Sequence, residues 1–209
     1  MLPPIFGVLF DGIAYGMLLF LLAVGLSVTL GLMNFVNLAH CAFAMLGGYV
    51  TVTLVNQLGW PFIVTLPVAF VAAGFISMFF ERLFYRRLYG KSDLDQVLLT
   101  IGLAFVSVAV AAYLFGTLQQ PVTTPEMLRG STVLFGLDPN FSFAFLVYVL
   151  IVVSVGGLGS IAGSFVAAIL IGISDIAGKY YFPELGAFLI YLVMVLVLMW
   201  RPQGLFGKR

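Results

Sequence analysis

From Gly12 to Phe80 the chain carries no Asp, Glu, Lys or Arg. A soluble domain uses roughly 25% charged residues to cover its surface, whereas here only 8% are charged and the mean hydropathy is +1.19. Such a chain cannot face water on all sides, and a polytopic membrane protein is the class it fits. The sequence therefore predicts an all-α, polytopic transmembrane bundle. At ~1.5 Å rise per residue a crossing takes roughly 20 apolar residues, so Gly12 to Phe80 accommodates about three crossings.

Breaks in the apolar pattern divide the rest. The polar stretch from Asn34 to His40 and "NQLGWP" at 56–61 punctuate the first run, and Gln96 to Gly116 is a further span. Residues 117–140 are rich in Pro, Thr and Gly and read as an extramembrane loop. Phe141 to Ser174 is uncharged, with "VGGLGSIAG" in its middle. Its length suits one and a half crossings, a full helix followed by a short or half helix. Leu185 to Trp200 closes the set, with Arg201 placed to snorkel. The total is about six hydrophobic segments in one transmembrane domain spanning 1–209.

Basic residues set the orientation. Arg82, Arg86, Arg87 and Lys91 cluster in one connection, and Arg201, Lys208 and Arg209 close the chain. The positive-inside rule puts both in the cytoplasm and 117–140 outside. No basic stretch precedes the first apolar run, so a cleaved signal peptide is not expected and the first helix serves as its own insertion signal.

Polar groups at bilayer depth are costly unless they face protein or a wet cavity. Asn34, Asn37 and His40, the only histidine, lie within seven positions. On a helix they would share one stripe, and interhelical hydrogen bonding is their ordinary meaning. An unwound segment beside a solute path is the functional alternative. Two tracts, "GLMNFVNLAHCAFAMLGGYV" and "VGGLGSIAGSFVAAILIG", each interrupt a hydrophobic run and resume as helix. Paired interruptions suggest inverted repeats around a midplane path. The candidate path residues are Asn34, Asn37, His40, Gly47, Gly48, Gly156, Gly157, Gly159, Ser160 and Gly163. Gly12 and Gly16, Ala23 and Ser27, and Gly159, Gly163 and Ala167 repeat every four residues, a pattern for close helix packing. Glu81, Arg82, Arg86 and Arg87 are candidate contacts for a cytoplasmic partner, and Asp175 with Lys179 reads as an ordinary helix ion pair at the outer edge.

Enzyme chemistry finds little to work with. The spans offer one His, one Cys and no carboxylate beyond Asp11 and Asp175. Cys41 adjoins His40, but neighbours on a helix point about 100° apart and pair poorly. No metal-type cluster, cofactor motif or nucleic-acid-type basic patch is present, and no catalytic residue is assigned. Composition leaves a passive channel open beside a transporter.

"GLSVTLGLMNFVNLAHCAFAMLGGYV", "ERLFYRRLYGKSDLDQVLLTIGL", "GGLGSIAGSFVAAILIG" and the terminal "WRPQGLFGKR" resemble the permease subunits of branched-chain amino acid ABC importers. The resemblance covers about 1–136 and 137–209. It implies a multi-pass protein of a bacterial or archaeal inner membrane, in contact with membrane lipid. It also implies a periplasmic substrate-binding protein, separate ATPase subunits, and a second permease in a hetero- or homodimer. Relatives of this type import urea, short amides or other small polar solutes, so the solute stays open. Where the family commonly has Gly after the His, this chain has Cys41. A larger departure follows Gly136: the family runs on into another helix and a long basic cytoplasmic loop that couples to the ATPase. Here Leu137 begins a segment resembling a much later part of the family, so an internal block of even crossing number is expected to be missing at 136/137. A shortened, non-transporting permease is therefore an alternative reading.

Overall fold

A computed structural model of the chain describes residues 4–121 and 137–207. It is all-α, with seven helices among the described residues. Helix α1 (Pro4–Val28) continues through one wide turn, Thr29–Met33, and α2 (His40–Val52) does the same through Thr53–Gln57. Helices α3 (Phe62–Leu83) and α4 (Asp93–Phe115) follow, joined through a short tight turn at Tyr85–Arg87. The second half holds α5 (Phe141–Gly156), α6 (Ile161–Tyr181) and α7 (Gly186–Trp200). Four of these segments are long and apolar enough to cross a membrane, and α5 and α7 are shorter apolar helices. Gly12 to Phe80, expected to hold about three crossings, holds parts of two of these long segments, with the 13-residue α2 between them.

Two expectations need correction. Asn34, Asn37 and His40 do not share a helical stripe, because the backbone is unwound from 34 to 39 and α2 begins only at His40. In the second half the shorter helix comes first and the full-length one second. The reason is local. Gly157 and Gly159 adopt positive φ and turn the chain, and the Ser160 hydroxyl then caps α6 by accepting from the Gly163 N–H at 3.1 Å. The helix does not stop at the first charge either, since Lys179 reaches Asp175 Oδ2 at 2.6 Å inside it. The expected 117–140 loop lies partly outside the described residues. Its described ends are pinned by an antiparallel bridge, with Gln120 and Leu137 exchanging backbone bonds of 2.7 and 3.0 Å.

The chain forms two compact units, one from Met1–Phe35 and Leu146–Arg209, the other from Val36–Phe145. In the first, α1 and α6 run antiparallel in close contact. A β-carbon on Gly12 would stand 2.8 Å from the Ile173 Cα, and one on Gly16 would stand 2.8 Å from the Ala168 carbonyl oxygen. The four-residue repeats of small residues thus form this seam. Ser27 and Ser164, both fully buried, share a 2.5 Å hydrogen bond across it. In the second unit α2 packs on α3 through Phe43 and Phe80, and on α4 through Ala39, Ala42 and Ala104. Tyr49 stacks on Phe115 at 4.2 Å between centroids.

Candidate functional site

The first break begins at Asn34, whose φ of 49° and ψ of 40° are left-handed. Asn tolerates that conformation better than other residues with a β-carbon, and here it closes the wide turn by donating its N–H to the Thr29 carbonyl. Its side chain is exposed. Within the other unit, Asn37 is buried and turns its Oδ1 onto the Ala39 N–H at 3.1 Å, while the His40 N–H reaches the Asn37 carbonyl at 3.4 Å. Asn37 therefore helps to start α2, and the His40 side chain is half-buried in its first turn.

Unwound backbone at membrane depth needs outside partners, and α4 supplies them. Gln96 Oε1 accepts the Val36 N–H at 2.9 Å, and Thr100 Oγ1 accepts the Leu38 N–H at 3.2 Å. Both side chains are buried, one turn apart. Sequence reasoning missed this pair; the available signal was two polar residues at i and i+4 on an otherwise apolar span. Gly47 and Gly48 lie further along α2. Gly47 faces Ala73 of α3 at a would-be β-carbon distance of 3.6 Å, and Gly48 seats the Leu137 side chain, whose Cδ2 is 2.9 Å from a would-be β-carbon. Both are close-packing positions in this structure.

The second break is built from glycine. A β-carbon on Gly156 would meet the Gly163 carbonyl carbon at 2.5 Å, and one on Gly163 would strike the Gly156 oxygen. Gly159 lies against Gly31, the would-be β-carbon of Gly31 being 2.6 Å from the Gly159 oxygen. The wide turn that ends the first apolar run and the turn that opens α6 therefore touch, backbone on backbone. The C-terminal segment completes the assembly. Leu205 and Phe206 donate their N–H groups to the Val155 and Gly156 carbonyls at 2.8 and 3.0 Å, which caps the end of α5. Arg201 Nη1 donates to the Leu205 carbonyl at 2.8 Å and holds the hook closed. The resemblance rested partly on this "RPQGLFG" segment, but its capping role was not legible in the sequence.

These pieces line a cavity of about 670 Å³ that includes Gly31, Ser154, Gly159, Ser160, Gln203 and Phe206. The structure thus gathers Gly156, Gly157, Gly159, Ser160 and Gly163 with Gly31 and the tail in one unit, and Asn37, just before α2, with His40, Gly47 and Gly48 along it in the other. The basic connection is partly engaged: Tyr89 donates to Glu81 Oε1 at 3.2 Å. Partial burial, and then the Glu81 carboxylate, raise the Tyr89 phenol above its ordinary range, so it keeps the proton that bond requires. The exposed side chains of Arg82, Arg86 and Arg87 line the same connection.

Long apolar helices, unwound breaks held by neighbouring side chains and glycine-on-glycine crossings define a multi-pass membrane protein of the broken-helix transport class. Residues 8–138 and 131–198 match the family described as branched-chain amino acid transport system, permease component, and the chain belongs to that family. The match falls in two stretches that meet over 131–138, as a chain shortened relative to the family produces. No curated protein and no solved structure matches the chain.

Proposed function

We propose that this chain is the path-forming permease subunit of an ABC importer for branched-chain amino acids. In this reading 1–209 is a single permease domain in a bacterial or archaeal inner membrane, without an ATPase site of its own. ATPase subunits at the cytoplasmic face energise it, a periplasmic binding protein delivers the solute, and a second permease completes the path. The observation that carries the reading is the meeting of Gly31 with Gly159. It joins two helix breaks from the two halves of the sequence, the arrangement that lets unwound backbone face a solute path. Asn34, Asn37, His40 and the glycines of both breaks would line or brace that path, and Glu81, Arg82, Arg86 and Arg87 would meet the cytoplasmic partner.

The test is reconstitution with the ATPase and binding protein, followed by leucine uptake with and without ATP. ATP-dependent leucine uptake supports the reading, and preferential urea or amide uptake moves it to another small polar solute. Nucleotide-independent flux would make the chain a passive channel. A second reading, a shortened permease that does not transport by itself, rests on the split of the family match at 131–138.

A further inference from the structure

Where α3 ends and α4 begins, the connection folds around an open groove of about 660 Å³. Leu83, Phe84, Leu88, Leu98 and Leu99 supply its apolar wall, and Arg87 and Lys91 stand at its rim. Both cations are exposed, and neither forms an ion pair with another described residue. Two of the nearby carboxylates accept hydrogen bonds. Asp95, also on the groove, accepts a 2.7 Å bond from the Ser92 hydroxyl and has its own N–H on that oxygen, while Glu81 accepts from Tyr89.

Apolar wall and cationic rim occur together at the basic end of two membrane-length helices. That end is the cytoplasmic one by the positive-inside rule, and the cytoplasmic leaflet is the anionic one. We propose that this groove binds one anionic phospholipid of that leaflet. Its phosphate sits between Arg87 and Lys91, and an acyl chain runs along the leucine wall. A protein partner with an acidic patch would use the two cations but has no need of Leu83, Leu98 and Leu99 in the same groove. The combination therefore favours lipid. The proposal holds whichever solute the protein carries, so its failure and the failure of the transport reading are separable.

The experiment uses the full chain, purified in detergent and analysed by native mass spectrometry and thermal unfolding with dioleoyl phosphatidylglycerol, dioleoyl phosphatidylcholine or inorganic phosphate. Each basic residue near an anionic lipid surface strengthens binding roughly fivefold. Wild type should retain phosphatidylglycerol over phosphatidylcholine and unfold at a higher temperature with it. Arg87→Gln with Lys91→Gln should weaken that retention roughly 25-fold. Leu98→Trp, which fills the wall and keeps both cations, should weaken it too, while Arg201→Gln, at a residue that does not line the groove, should not. Equal retention of the two lipids, or unchanged retention in the Arg87/Lys91 variant, overturns the proposal. Stabilisation by inorganic phosphate equal to that by phosphatidylglycerol, or loss only with the cations and not with Leu98→Trp, also overturns it, pointing to a free-phosphate or acidic-protein site.

Discussion

Gly31 and Gly159 meet backbone to backbone: a β-carbon on Gly159 would lie 2.7 Å from the Gly31 Cα. Neither neighbour is a flexible side chain end, so the contact cannot give way cheaply. Gly159 also holds φ at 75°, a conformation that suits glycine. Gly31→Ala and Gly159→Ala should each destabilise by about 1–3 kcal/mol through overpacking, with the Gly159 change the larger because strain adds to the clash. Gly74→Ala is the control. Gly74 lies in α3 with nothing within 4 Å of a would-be β-carbon, so this change should be neutral or stabilise by about 0.5–1 kcal/mol. Thermal unfolding of the three variants in one detergent checks the order; an unaffected Gly31→Ala would mean that the breaks do not touch.

Ser27 and Ser164 carry the polar contact of the α1–α6 seam. Removing one hydroxyl leaves the other buried with one partner fewer, whereas removing both leaves an apolar seam. Each single alanine variant should therefore destabilise more than half as much as the double variant. Coupling of about 0.6 kcal/mol is expected, the average for such bonds between membrane helices. A double-mutant cycle by unfolding in mixed micelles measures it, and strict additivity would show that the bond contributes nothing.

The parts of this fold that were legible in the sequence are those set by burial over many residues. The uncharged run from Gly12 dictated helices, and the four-residue spacings of Gly12 with Gly16 and of Ala23 with Ser27 dictated a face for close approach, because a helix repeats on that period. The second break was visible because several glycines interrupt one apolar tract. What one residue type can do in two ways stayed hidden. Asn34 had the composition of a path residue, yet its backbone is what the structure uses, in the left-handed region. Gln96 and Thr100 were hidden for the opposite reason, since their partners are backbone groups about 60 residues away. Boundaries drawn at the nearest charge failed at Ser174, because a charge can enter a membrane helix when its partner lies one turn on.

Asp175 shows that cost. Its side chain is 1% exposed, whereas Lys179, 2.6 Å from its Oδ2, is 49% exposed. The i,i+4 ion pair that the spacing suggested is present, as a buried carboxylate held by a half-solvated ammonium. Asp175 Oδ1 has no hydrogen-bond partner among the described residues, so the carboxylate depends on Lys179. Lys179→Met should destabilise by about 1–3 kcal/mol or more, because it strands a buried charge. Asp175→Asn should be milder, since it removes the charge along with the need for a counter-ion. Unfolding temperatures in detergent decide between the two, and a milder Lys179→Met would show that the carboxylate does not depend on the ammonium.

The last prediction concerns the block expected between Gly136 and Leu137. In an ABC importer, closure of the ATPase reaches the permease through a loop seated on the nucleotide-binding subunit, so drive depends on a physical contact that differs between two states. Among the described residues the connection from Glu81 to Asp95 is the one sizeable basic candidate. It is short, and much of its polar chemistry is turned on itself through Tyr89 with Glu81 and Ser92 with Asp95. Large aromatic side chains meanwhile stand uncovered on the neighbouring spans, Phe70 being 80% exposed on α3 and Tyr113 89% exposed on α4. Such faces suit lipid, but they also suit helices that a longer family member would pack there. The chain as it stands should bind the ATPase weakly and show little ATP-driven leucine uptake, unless a second permease supplies the coupling contact. A chain restored between Gly136 and Leu137 with the corresponding family segment should gain both. Co-purification with the ATPase, then uptake by each form alone and with a second permease, separates the cases. Equal, robust uptake by the two forms alone would show that the connection at Glu81 to Asp95 suffices for coupling.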